Sequence, residues 1–163
     1  MRRALALLLI AAASSAGCGG DDKPSTSGGQ GRQISRAGDA RGAESTVRGY
    51  LRALVDHDGS AACSKLTPEY QRSVVRRNRQ FADKAGVSDC SGLFDAVAKQ
   101  VPRPMFEGQP IDASNVGTIP LRVEVRQNGK EQNATVMGTR GLERYELYTT
   151  GGRWAISEVS ENG

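Results

Sequence analysis

The chain's single histidine, His57, stands between Asp56 and Asp58, a grouping that supplies a general base when the ring reaches a pocket. At the end of a helix the same three residues would instead form a solvated terminus, where a cation meets the helix dipole favourably. Adjacent side chains on a helix do not face one another, so the solvated reading is taken. Tyr50 and Tyr145 are the weak alternatives for a hydroxyl in a pocket, although tyrosines in apolar stripes more often belong to a core with the O–H satisfied. The carboxylates on strand-like stretches are Glu124, Glu143, Glu146 and Glu158. Glu124 and Glu146 fall out of phase with the apolar positions and are expected to face water. Glu143 and Glu158 share the inward phase but lie near strand ends, where a bulge shifts it.

Arg72, Arg76, Arg77 and Arg79 form the one cationic cluster, with three of them on one helical face. Such a face suits anionic headgroups or acidic polymers, and it suits bulk water equally well. No aromatic residues interleave with the arginines, so nucleic acid is not expected as a partner. No His or Cys stands at the spacing that would complete a metal site, and no serine elbow or phosphate-binding glycine loop is present. The reading is therefore of no metal, no cofactor and no confident catalytic group. Asn133-Ala134-Thr135 matches the N-glycosylation pattern but carries no weight in the reading.

The elements that would position these residues change character halfway along the chain. Val47, Tyr50, Leu51, Leu54 and Val55 recur at i, i+3, i+4, i+7 and i+8, one apolar stripe of a helix that Gly59 is expected to stop. A short second helix is predicted over 60–66. Thr67-Pro68 reads as an N-cap followed by proline at the first helical position. It opens a third helix in which Tyr70, Val74, Phe81 and Ala85 share a face until Gly86. Ser88 or Asp89 caps a fourth, with Leu93, Phe94, Val97, Ala98 and Val101 facing inward as far as Pro102. The period then falls to two. Leu121, Val123 and Val125 alternate with charged residues, and Asn128-Gly129 signals a hairpin. Ala134 and Val136 lie on the return strand, Tyr145 and Leu147 on a third, and Trp154, Ile156 and Val159 on a fourth after Gly151-Gly152. Helices first and an antiparallel meander second make an α+β domain, with the helices on one face of a four-stranded or larger sheet.

Composition agrees with one such domain. The chain has 163 residues, of which 25% are charged and 5% aromatic, which excludes a polytopic membrane protein and a disulfide-dense miniprotein. The formal charge of +4 comes mostly from the residues before Ala43, and from Ala43 onward the charge is nearly balanced. Basicity therefore says little about partners. Residues 19–42 are rich in Gly and Ser, with Ile34 the one large apolar residue. They are expected to form a flexible tether of roughly 25–30 Å.

Met1-Arg2-Arg3 followed by ten apolar residues at 4–13 has the layout of a secretory signal, too short to span a bilayer. Ser14-Ser15-Ala16-Gly17-Cys18 resembles the lipobox of bacterial prolipoproteins, with Ser15 where that family prefers Leu. The resemblance implies that Cys18 is acylated and becomes the mature N-terminus; the alternative is ordinary cleavage after Ala13 or Ala16. Once Cys18 carries lipid, Cys63 and Cys90 remain as an even pair in an oxidising compartment. A disulfide between them contributes about 3.6 kcal/mol in the chain-entropy account. The domains are then a signal peptide at 1–17, a lipidated cysteine and tether at 18–42, and a folded domain at 43–163.

From Glu44 to Ser160 the chain is similar to the NTF2-like superfamily. The likeness rests on the opening helix, the cysteine pair and the closing Gly151-Gly152-Arg153-Trp154-Ala155-Ile156. It implies a cone with a pocket between sheet and helices, lined here by Tyr50, Leu54, Leu121, Val123, Val125, Tyr145, Leu147, Trp154 and Ile156. The expected protein is anchored to the extracytoplasmic face of the cell membrane and binds a small apolar ligand or an envelope partner without catalysis. The alternatives are a pocket enzyme of the isomerase or dehydratase type, and a structural or regulatory envelope partner.

Overall fold

A computed structural model describes residues 37–101, 103–128 and 131–161. The signal peptide, Cys18, most of the expected tether, Pro102 and Gly129 lie outside the described residues. The rest is α+β: five helices, then a small hairpin, then a four-stranded antiparallel meander in the order β3-β4-β5-β6.

Helix α1 (Ala37–Val55) begins before the boundary expected at Ala43. Its stripe of Ala43, Val47, Tyr50 and Leu51 is buried against the sheet residues Ala134, Val136, Tyr145, Leu147 and Ile156. Gly42 belongs to that packing, because a Cβ there would come within 2.7 Å of the Trp154 ring. Arg48 on the same helix ties down the irregular segment ahead of the sheet. Its guanidinium donates to the carbonyls of Gly117 at 3.0 Å and Ile119 at 2.8 Å, and it is paired with Glu44. Ile111, Val116 and Ile119 of that segment are thereby held in the core.

Two local endings differ from expectation. Gly59 does not stop α1 but opens α2 (Gly59–Ser64), with Asp58 as its N-cap. The stop is made by His57, whose φ of 56° places it in the left-handed region. His57 N–H donates to the Leu54 carbonyl and Asp58 N–H to that of Ala53, the two bonds of a Schellman ending. The expected third helix is two, α3 (Pro68–Arg77) and α4 (Arg79–Ala85), broken at Asn78. The Asn78 amide donates to the Val74 carbonyl at 2.9 Å, so the side chain competes with the helical ladder. The break also rephases the face: Ala82 is buried and Ala85 exposed. Thr67 and Asp89 cap α3 and α5 (Cys90–Gln100) as the sequence indicates, and Gly86 ends α4 in the left-handed conformation.

In the sheet, β3 (Leu121–Asn128) pairs with β4 (Glu131–Gly138), β4 with β5 (Glu143–Thr150), and β5 with β6 (Arg153–Glu161). Asn128 is part of the ladder, opposite Glu131. The register shifts between Glu146 and Leu147, so Ser157 is the extra residue of β6. This bulge keeps Val159 on the inner face, opposite Tyr145, and turns Glu158 outward beside Glu146. A hairpin not anticipated from sequence, β1 (Met105–Phe106) and β2 (Gln109–Pro110), turns through Glu107 and Gly108. Their φ values are 49° and 73°, the paired positive angles of a tight hairpin turn.

Candidate functional site

Two regions collect the residues to which the sequence points. The first is a closed cluster on the inner face of the sheet. Tyr145 donates its hydroxyl proton to Glu143 Oε2 at 2.7 Å, and Glu143 Oε1 accepts the Glu107 N–H at 2.9 Å. Glu107 is only 5% exposed. Its two carboxylate oxygens accept the backbone N–H groups of Arg140 and Leu142, each at 3.0 Å, while the Arg140 guanidinium returns a bond to the Glu107 carbonyl. The β1–β2 turn is thus plugged into the β4–β5 turn. Gly138 is required beneath it, since any Cβ there would overlap the Glu107 carboxylate. Tyr50 packs edge-on against both Phe94 and Tyr145, and Phe106 stacks on Tyr145.

Burial dominates the electrostatics of this cluster. Loss of solvent raises the Tyr50 and Tyr145 hydroxyls above the ordinary phenol range, and the nearby Glu143 charge adds to it in both. Burial also raises the Glu143 carboxyl, against the lowering effect of its bonds from Tyr145 and Glu107. A carboxylate beside a tyrosine in a dry setting is a catalytic arrangement in some enzymes. Here Tyr145 is buried to 1% exposure and its neighbours fill the surrounding space. His57 is exposed and lies beyond the end of α1, whereas Tyr50 is buried. Tyr50, His57 and a sheet carboxylate therefore do not converge.

The pocket-lining set is largely core. Tyr50, Tyr145, Leu147 and Ile156 are buried, and Leu121, Val123, Val125 and Trp154 pack against them. Leu54 alone of the set lines a cleft described below. That cleft is the second region, an apolar groove of about 160 Å³ between α1, α2 and α5. Leu54, Phe94, Val97, Ala98 and Val101 form its walls, with the small residues Gly59 and Ala62 at its base and His57 and Asp58 on its rim. Three ties frame it. The Cys63–Cys90 disulfide joins α2 to the start of α5, with Cα atoms 6.0 Å apart. Gly59 N–H donates to Asp95 Oδ1 at 2.8 Å, and the left-handed His57 sets the angle between α1 and α2. Gly59 must lack a side chain, because a Cβ would run into the Ser91 carbonyl.

No protein family, curated protein or solved structure matches this chain. The site must be judged on its own geometry. Val97 and Val101, expected to face the core, are 37% and 48% exposed. The apolar face of α5 runs further than the described residues that cover it. A polar shelf of His57, Asp95 and Lys99 shares His57 and Ala98 with the groove. Among the described residues no cluster of His, Cys, Asp and Glu is placed to hold a metal ion, and no helix is long and apolar enough to cross a membrane.

Periodicity alone could not find the groove or the Glu107 plug. The groove consists of positions that read as ordinary core in the helical pattern. The plug depends on Glu107-Gly108, a turn pair bracketed by Phe106 and Ile111, whose partners lie over thirty residues away. Asn133 of the glycosylation pattern sits within β4, opposite Arg126 and Tyr148.

Proposed function

We propose that the chain is a lipoprotein of the bacterial cell envelope, anchored on the extracytoplasmic face of the membrane through acylated Cys18. Its α+β domain, akin to the NTF2-like superfamily, acts as a non-enzymatic binding module. The order of helices and meander supports the kinship. The Cys63–Cys90 bridge supports an oxidising compartment. The observation that carries the binding reading is the groove between α1, α2 and α5: apolar walls, a polar rim and exposed Val97 and Val101. An apolar recess with a few polar groups at its mouth is the default place for a ligand to bind.

The dimensions narrow the guest. An apolar cavity of about 150 Å³ accepts a benzene-sized group, so the groove takes an aromatic ring, a branched aliphatic group or the end of an acyl chain. His57, Asp95 and Lys99 lie where the polar end of such a molecule would emerge. The test is a chemical-shift titration of the domain with alkyl and aryl compounds. Shifts are expected at Leu54, Phe94 and Val97, and should vanish in Ala98→Phe, which fills the groove, without loss of thermal stability. No perturbation there, or identical binding by Ala98→Phe, overturns the reading. Mass spectrometry of the mature N-terminus tests the anchor separately: a diacylated Cys18 is expected, and an intact Met1 refutes it.

A further inference from the structure

The arginine cluster is more than a helical face, because the break at Asn78 folds it around a cleft. Arg72 and Arg76 from α3 and Arg79 from α4 line one wall of a cleft of about 520 Å³, and Ser88, Asp89 and Cys90 at the start of α5 line the other. Its floor includes Val75, Ala82 and Val87. The three guanidiniums are lightly engaged. Arg72 pairs with Glu69 at 3.1 Å and Arg79 with Asp83 at 3.7 Å, all four side chains at least 68% exposed. Such pairs contribute little. Arg76 and the neighbouring Arg77 make no ion pair among the described residues. Of the two carboxylates in the cleft, Asp89 is occupied capping α5 through the Gly92 N–H. Asp83 is the one other negative group.

We infer that this cleft binds the phosphate group of an anionic lipid headgroup. Arginine's planar fork matches phosphate oxygens in bidentate fashion, which an ammonium cannot do. Three forks around one concavity, with an apolar floor, suit a phosphodiester whose glycerol and acyl carbons lie beside it. The choice of a bilayer as the source rests on the anchored-lipoprotein reading. In that reading an acylated Cys18 holds the domain beside the headgroups of the same membrane.

The experiment removes the anchor. The described fold, with its core and disulfide, lies within the compact unit Arg32–Gly163, so that unit is purified alone and sedimented with vesicles of phosphatidylcholine, with or without 30 mole per cent phosphatidylglycerol. Binding to the anionic vesicles only is expected, weakening with salt. The double variant Arg72→Ala/Arg76→Ala should lower the partition roughly thirty-fold. Arg122→Ala with Arg126→Ala on the sheet removes the same charge elsewhere and should change it no more than about threefold. Equal binding to neutral vesicles, no binding to either, or equal losses in the two double variants overturns the inference. Saturable binding of glycerol phosphate in solution without vesicle binding overturns the bilayer as source. An unacylated Cys18 refutes the anchor yet leaves the vesicle result standing, so the two failures are distinguishable.

Discussion

The sheet cluster around Glu143 and the groove beside α5 lie in one small domain and are opposites. The cluster has chemistry and no room. Tyr145 is hydrogen-bonded to Glu143, Glu143 to the Glu107 backbone and Glu107 to the Arg140 and Leu142 backbone, and Tyr145 is almost fully enclosed. The groove has room and little chemistry, with hydrocarbon walls and ionisable groups confined to its rim. Catalysis needs both at one place. Among the described residues they are separate, which is what supports the proposal of binding. It also explains why a tyrosine–carboxylate pair can be present without being a site: buried polar groups must be satisfied, and a satisfied network fixes a core.

The contrast can be broken at several points. The largest effect is expected at the groove's frame. Replacing Cys63 and Cys90 together by Ala should cost about 3.6 kcal/mol in urea denaturation, for a sequence separation of 27. Hydrogen exchange should rise first in α2 and α5, with the sheet amides protected longest; equal loosening of both regions would mean that they form one cooperative unit. Next is the plug. Gly138→Ala drives a methyl group into the Glu107 carboxylate and should cost about 2–3 kcal/mol by the same measurement, while ligand binding in the groove persists in the folded fraction. A smaller effect of opposite sign is expected at His57. His57→Gly relieves a left-handed non-glycine residue and should raise stability by roughly 0.5–1 kcal/mol. A loss of stability would show that the imidazole makes contacts worth more than the backbone strain.

The smallest effect is a dependence on pH. Burial raises the Glu143 carboxyl in the folded state, so the folded form holds that proton more tightly than the unfolded chain. The associated stability is complete below the unfolded carboxylate value of about 4.3 and declines as pH rises through the folded value. Glu143→Gln keeps an acceptor for the Glu107 N–H and removes the charge. The variant should therefore gain on the parent between pH 4 and neutrality, as thermal melts across that range would show. Parallel curves for the two proteins would mean that Glu143 is better solvated than its surroundings imply.

Much of the architecture was legible beforehand because it is local. The stripe of Val47, Tyr50 and Leu51, the caps at Thr67 and Asp89, the glycine ending at Gly86 and the two-residue alternation of Leu121, Val123 and Val125 are written in neighbouring residues, and the structure contains them. Even the β6 bulge has a local trace. The step from Ile156 to Val159 is three residues where Trp154 to Ile156 is two, and only an extra residue keeps all three on one face. Cysteine parity anticipated the disulfide, which closes α2 onto α5. The break at Asn78 was missed because a side chain that competes with its own helix leaves the apolar periodicity on either side nearly intact.

What the residues alone determined, then, is the longer elements and which of their faces are apolar, since periodicity, caps and turn chemistry act over a few positions. Which apolar faces are covered was decided only by tertiary packing. Val97 and Leu93 read alike along α5, yet Leu93 is buried beneath its neighbours and Val97 is left open because no other described residue covers it. Glu107 reads as a surface turn residue, yet it is enclosed because a distant hairpin offers two N–H groups and a glycine to receive it. Coverage depends on the lengths and angles at which elements meet, and those are properties of the assembled fold.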